Sequence, residues 1–505
     1  MRKSAAMPQM PDLVTALGRG DPEVVANLIA AGANVRYKRD HGYDALIDAV
    51  HSRDVLRDPR LLDLLQLLVA HGVDLNGITR YRESGLRVLS HIGRFDAVGL
   101  LLAAGADKAP LQWTPLIEAV ALGSLGDVER LASDGAALEE TDWWSRTAWL
   151  VALLVGDIAK ARRLRELGVN TDARGRCGAP PLSYAVGGHH PDLVRWLLEI
   201  GQDVDQTDDF GRTPLMEAVD SADLECVDVL IAAGADVDRE TAGGSVLEGA
   251  ATREIVRRLL DGGADPRHLS QAGHRALCGL ADRADGLAGV SGDEFRRAST
   301  RRFGTANPDH MAEPFWEGMI RAGVSAYRAK QSFEAAARSP VWCAMRFGQS
   351  ITLLPDGRVV QIGGEHEDSY HSDFCIYNDV FVHSDGSITI FGYPEDVFPP
   401  TDFHTATLID DTIYVIGSLG YDGTRRYGQT PVYQLDVRTF RMERLDASGE
   451  APGWIYRHRA VRVGASEIRV TGGEVATRDG ADEAHTGNAR TFVLDVERRL
   501  WRRER

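Results

Sequence analysis

Any chemistry in this chain is best sought in one short run, Glu365-His366-Glu367-Asp368-Ser369-Tyr370-His371-Ser372-Asp373. Carboxylates and imidazoles this close together can ligate a divalent cation or move protons. Asp402, His404 and His458 stand at related places further along and could join them. The spacing is not His-Glu-x-x-His. His404 and His458 also hold equivalent positions of a repeat, which suits a structural hydrogen bond. The candidates for a polar site are therefore Glu365, His366, Asp368, His371, Asp373 and His404, weighed against a loop that bonds its own turns or touches a protein. No Gly-x-Ser-x-Gly elbow, phosphate loop or dinucleotide fingerprint occurs. The expectation is a non-catalytic chain with no metal and no cofactor.

The elements that must position this run have a period of two. Ile351-Thr352-Leu353-Leu354, Arg358-Val359-Val360-Gln361-Ile362 and Ser387-Ile388-Thr389-Ile390-Phe391 read as strands, turned by Pro355-Asp356-Gly357 and Ser384-Asp385-Gly386. Three segments show the same order of parts, each marked by a Gly pair or its relic at Gly363, Gly417 and Gly472, spaced 54 and 55 apart. His404 and His458 open two of them, and Tyr433-Gln434-Leu435-Asp436 and Phe492-Val493-Leu494-Asp495 are late strands. This half resembles kelch repeats, which implies four-stranded blades over 341–505. Three blades are fewer than a propeller usually needs, so a partial or small propeller is expected. Its exposed sheet edge would be covered by the helices at 313–338 or by a second copy of the chain.

The first half carries a different repeat. An apolar helical run ends in Gly32, Gly72, Gly105, Gly135, Gly168, Gly201, Gly234 and Gly263, at successive intervals of 40, 33, 30, 33, 33, 33 and 29. Trp113-Thr114-Pro115-Leu116 and Gly211-Arg212-Thr213-Pro214-Leu215 follow in their units, with weaker versions at Arg146-Thr147-Ala148-Trp149 and Ala179-Pro180-Pro181-Leu182. Thr can cap a helix, Pro suits its first turn, and Gly can end it in a left-handed conformation. This half resembles an ankyrin-repeat array of about eight units with a C-terminal cap, over 10–284. That implies an all-α solenoid whose units bury their apolar faces only by stacking. Leu46, Leu89, Leu116, Trp149, Leu182, Leu215 and Leu247 fall at equivalent places and read as core. The excess in the first interval lies around residues 51–59, between the helices of one unit.

The resemblance implies a concave binding face. Two residues beyond each core position stand Asp48, His91, Glu118, Val151, Tyr184, Glu217 and Gly249, with Glu248 beside them. Three of the seven are carboxylates, which suggests an acidic groove for a basic segment, against the alternative of a solvated helix face. Trp113, Trp143, Trp144 and Phe210 fall in turns, where exposed aromatics serve as anchors, unless they pack on neighbouring turns. The expected partner-binding residues are thus Asp48, His91, Glu118, Tyr184, Glu217, Trp113, Trp143, Trp144 and Phe210. Between the halves, 285–340 reads as a Gly-rich linker followed by amphipathic helices, Phe315-Trp316 through Phe333 to Ala337.

Composition bounds the partners. The 505 residues carry a formal charge of −17, which argues against nucleic acid and anionic membranes. Five cysteines, an odd number with no Cys-x-x-Cys, fit unpaired thiols in a reducing compartment. With no secretory h-region at the N-terminus and no apolar run of spanning length, a cytoplasmic protein is expected. The leading expectation is a scaffold or adaptor for an unidentified protein, with self-association through the β half as an option. An immunity-type inhibitor of a toxin, and an enzyme or sugar or metal binder using the His366 loop, are the alternatives.

Overall fold

The computed structural model describes residues 12–280, 287–333, 340–368, 371–480 and 482–504. Residues 284–286 of the linker and 334–337 of the expected amphipathic helix lie outside them. The chain divides into two compact units, Met1–Gly249 and Ala250–Arg505. The first is helical and the second is mostly sheet.

The first unit is a stack of helix pairs: Leu13–Arg19 with Pro22–Ala30, Ala45–Ala49 with Leu61–Ala70, Gly85–His91 with Phe95–Ala103, and Pro115–Leu122 with Leu125–Ser133. Ala148–Val155 with Ile158–Glu166, Pro181–Gly187 with Pro191–Glu199, and Pro214–Asp220 with Leu224–Ala232 continue it. Local chemistry starts each first helix. Thr114, Thr147 and Thr213 accept the N–H groups of Ile117, Leu150 and Met216 at 3.2, 3.4 and 3.3 Å, and Pro115, Pro181 and Pro214 open helices where no N–H is needed. Gly105 and Gly201 end two second helices at φ 98°, a conformation that costs glycine little. The seven core positions, from Leu46 to Leu247, are each at most 1% exposed. The lengthened interval forms an extra short helix, Arg53–Arg57.

The turns between units share one device. Asp142 accepts the N–H groups of Trp144 and Arg146, both at 2.9 Å. Asp208 accepts those of Phe210 and Arg212, also at 2.9 Å. Thr79 does the same for Tyr81 and Glu83 at 3.2 and 3.1 Å. A short side-chain acceptor thus mimics a backbone turn and projects the loop tip.

The eighth unit departs from the pattern. A two-residue hairpin, Glu240–Thr241 with Gly244–Ser245, and turns around Leu247 stand where its first helix was expected. Its second helix, Arg253–Asp261, falls in the second unit.

Among the described residues that unit has five sheets, three of which carry four-stranded antiparallel arrays. The first pairs Ser350–Leu353, Val359–Ile362, Val380–Ser384 and Ser387–Gly392 in order. The second pairs Thr405–Ile409, Thr412–Ile416, Val432–Asp436 and Met442–Arg444. The third pairs Arg459–Arg462, Glu467–Thr471, Phe492–Asp495 and Leu500–Arg503. Both expected hairpin turns form, and Asp385 and Gly386 take φ 46° and 78°, as a primed turn requires. Two of the marking glycines have a steric cause: a Cβ on Gly363 would meet the Thr401 oxygen at 2.2 Å, and one on Gly417 the Ile455 oxygen at 2.3 Å. The chain leading into the next sheet crosses at those points. In the third sheet the close approach is at Gly473 and not Gly472.

Neighbouring sheets are latched by histidine. His404 Nε2 lies 2.8 Å from Ser350 Oγ, and His458 Nε2 lies 2.8 Å from Thr405 Oγ1. The matching place between the third and first sheets is taken by helical chain. Arg267 donates to the Arg457 carbonyl at 2.9 Å and Arg459 to the Gly263 carbonyl at 3.2 Å, while Arg253 donates to the Gly357 carbonyl at 2.9 Å. His274 and His383 meet the two ends of the Gln361 amide, each at 2.5 Å. Residues 253–277, which the sequence pattern assigned to the eighth repeat and the start of a solenoid cap, therefore bond to the first and third sheets. Outer edges are covered too: Asp309–His310 pairs with the first sheet and Ser448–Gly449 with the third. Helix Pro314–Ala322 buries Phe315, Trp316 and Met319, with Trp316 stacked on Trp342 at 4.8 Å.

Candidate functional site

In the first unit, stacking brings residues far apart in sequence around a cleft of about 1250 Å³. Its walls include His91, Trp144, Arg176, Tyr184 and Glu217, so three of the expected groove residues and one expected turn aromatic do share a surface. The extra helix borders it as well: Arg94 donates to the Leu56 carbonyl at 2.6 Å and Arg57 to the Ser221 carbonyl at 3.4 Å. The length irregularity pointed to this insertion, but nothing in the sequence showed that it would reach the seventh helix pair.

The charges in the cleft differ from those the residue types suggested. Asp48 is only 6% exposed and is held by the Tyr37 hydroxyl at 2.6 Å and by Arg39. It anchors its own turn rather than facing the groove. Glu118 pairs with Lys108 at 2.7 Å, and Glu248 accepts the Ser245 N–H at 3.4 Å. Val151 is fully buried. Burial pushes the Glu217 carboxyl up to about 7, against the opposing pull of the Ser183 hydrogen bond and the Arg212 charge. Burial also raises Tyr184 to about 12. His91 is held down to about 4 by desolvation, with the Arg146 and Arg176 cations adding to it. At neutral pH it is an uncharged ring.

The turn aromatics sort into three kinds. Trp113 is partly buried against the core of its neighbours, 6.0 Å from the Phe95 ring, so it packs inward instead of anchoring a partner. Trp143 and Trp144 are half-buried and carry cations: Arg87 sits 3.6 Å over Trp143, and Arg176 lies 5.6 and 5.1 Å from the two rings. His91 stacks on Trp144 with centroids 4.2 Å apart. Phe210 alone of the four is widely exposed, at 67%. Beneath the paired indoles, Arg146 grips Asp142 at 2.6 and 2.9 Å and donates to the Ser90 carbonyl and hydroxyl at 2.7 Å each. Both side chains are buried, so this turn is fixed to the third helix pair.

The polar run in the β unit is divided by its fold. Glu365–Asp368 and His371–Ile376 form a hairpin. The side chains of Asp368, His371 and Asp373 lie outside the described ones. His366 is 5% exposed. Burial lifts Glu365 to about 7, with the Asp402 and Glu367 charges adding to it. Asp402 is fully buried and accepts the Gly420 N–H at 2.7 Å and the Ser418 hydroxyl at 3.2 Å. His404 is turned away onto Ser350, and desolvation drops it to about 3. Among the described residues no three His, Cys, Asp or Glu side chains gather into a metal-holding group, and no helix is long and apolar enough to cross a membrane. All five cysteines are unpaired, with Cys177 exposed and the others buried.

No curated protein matches the chain. Residues 146–241, which contain Trp149, Tyr184, Phe210 and Glu217 and much of the wall of the cleft, match the family model for ankyrin repeats in three copies; this part of the chain carries ankyrin repeats.

Proposed function

We propose that the protein is a non-catalytic scaffold whose helical unit holds a segment of a partner protein in the cleft between Trp144 and Glu217. The observation that carries this reading is the cleft itself. It joins apolar wall (Leu56, Ile92, Leu154), half-buried aromatic rings and a few polar groups, the mixture that binding pockets use. Its volume slightly exceeds the range of about 300–1,000 Å³ typical of small-molecule sites, which suits a short stretch of chain. The β unit, whose sequence resembles kelch repeats, serves as a second binding platform or sets orientation. The outer edges of its first and third sheets are already paired within the chain, so nothing in them calls for self-association. The toxin-inhibitor reading draws on net charge and on the same groove, and the enzymatic reading on the loop around His366.

A photo-crosslinking amino acid at Ser183, in full-length protein expressed in its native cells, tests the proposal. Crosslinks to one protein, absent when the same amino acid replaces an exposed residue outside the cleft such as Glu129, are expected. Equal labelling from both positions counts against the cleft.

A further inference from the structure

We infer that the cleft of the helical unit accepts an extended acidic segment of its protein partner, the opposite sign to the one its residue types suggest. The inference rests on the cleft reading above and adds the chemistry of the occupant.

Most carboxylates around the cleft are already engaged; among the described residues Glu225, at its rim, is the exception. Asp220 pairs with Arg212 at 2.5 Å. Asp223 meets His189 at 2.9 Å and caps a helix through the Cys226 N–H at 3.1 Å. Asp208 is used by its own turn. Glu217, with its pKa near 7, is about half neutral at physiological pH.

The arginines are not balanced in the same way. Among the described residues, Arg57 reaches only a carbonyl, and Arg176 lies over two indole rings with no carboxylate partner. Arg87, beside it, donates to the carbonyls of Pro110 and Arg82 at 2.8 and 2.5 Å and likewise meets no carboxylate. Burial lowers the Arg87 pKa, and the Arg82 and Arg176 charges lower it further, the mark of cations crowded without a counter-ion. Against the single carboxylate of Glu225 stand Arg57 and Arg176 in the cleft wall and the buried Arg87 behind them, so the surplus charge near Trp144 is positive and lies beside aromatic surface. A guanidinium lying on a ring keeps its edge N–H groups free for a carboxylate, where bonds are charge-assisted and often bidentate.

The occupant is an extended chain because the insertion limits the room. Arg94 holds the Leu56 carbonyl and Arg57 touches Ser221, so one side of the cleft is bordered by residues from both the second and the seventh helix pairs. A protein surface cannot enter such a space broadly, whereas a single strand with alternating acidic and apolar side chains can.

Selection from a phage-displayed library of random dodecapeptides on the full-length protein tests the inference. Peptides rich in Asp and Glu are expected. Their affinity should fall at least tenfold in Arg176→Glu, change little in Arg130→Ala on another face, and weaken with added salt. Arg176→Ser serves as the second variant if Arg176→Glu does not fold, and a three- to tenfold loss is expected there. Selection of Lys- and Arg-rich peptides that lose binding in Ser183→Trp would overturn the acidic assignment and leave the cleft standing. Peptides indifferent to Ser183→Trp, or none at all, would overturn both.

Discussion

The two units join repeats by different bonds. In the helical unit a buried tie between repeats is made by a charged group: Arg146, paired with Asp142 in its own turn and nearly inaccessible, donates to Ser90 of the third helix pair. In the β unit the equivalent ties are neutral imidazoles, His404 on Ser350 and His458 on Thr405. A buried ion pair is worth little net but is costly to break, because removing one partner strands the other charge. A buried neutral histidine is inexpensive at neutral pH and fails in acid. The helical unit should therefore be sensitive to charge deletion and the β unit to protons.

The largest test concerns what each unit needs in order to fold. A fragment starting at residue 250 should unfold cooperatively, and one starting at residue 287 should not, because it lacks the chain that bonds to Arg457, Arg459 and Gly357. Denaturant titration followed by circular dichroism decides this. Equal cooperativity in the two fragments would remove residues 253–277 from the structural account of the β unit.

Next comes Arg146→Ala, which should cost about 3–5 kcal/mol in the helical unit. Hydrogen exchange read peptide by peptide should show the loss over residues 85–160 and not in the sheets. Asp142→Asn should cost less, since the amide oxygen can still accept the two N–H groups of the turn.

Acid should act in the other direction. The folded pKa values of His404 and His458 are depressed to about 3, below the unfolded value of about 6.5. Between those limits the unfolded chain binds more protons, so stability is full above pH 6.5 and is lost as pH falls toward 3. At pH 5 the loss is about 2 kcal/mol for each histidine. Glu217 behaves oppositely: its raised pKa adds stability that is complete below the unfolded value and disappears as pH rises through 7. Hydrogen exchange at pH 5 and 7.5, corrected for intrinsic rates, should show the sheets weakening first. His458→Gln should flatten part of that slope, and an unchanged slope would mean that the latch is not the acid-sensitive group.

The smallest expected effect separates surface from packing. Phe210→Ser should change stability by no more than about 0.5 kcal/mol, whereas Trp113→Ala should cost about 2–4 kcal/mol, as truncation of a large packed side chain does. Thermal melts of both variants check it.

Much of this architecture is legible in the sequence because repeats average out local ambiguity. Seven core positions inferred from equivalence are all buried, and two of the three glycines marking the sheets, Gly363 and Gly417, coincide with close backbone crossings. Pairing of charges was harder to read. Asp48 sits at a position that is lined by cleft residues in other units, yet Tyr37 and Arg39 from the preceding turn claim it, and no periodic pattern encodes that choice. Trp113 precedes its Thr-Pro helix start closely, whereas Trp143 and Trp144 stand further back in their turn, and this small offset decides which ring enters the core. The helix Arg253–Asp261 buries Ile255, Val256 and Leu259 with the same spacing as the helices before it. An amphipathic stripe says that a face is covered but not by what.

The seven extra residues after the first helix of the second helix pair carry a further consequence. A surface made of near-identical modules offers near-identical addresses, and a ligand able to dock at one could dock one module along. The short helix Arg53–Arg57, touching Ser221 across the cleft, has no copy in the other units. It gives the array a fixed origin, so that a strand held as we propose would have one alignment instead of several that differ by a repeat.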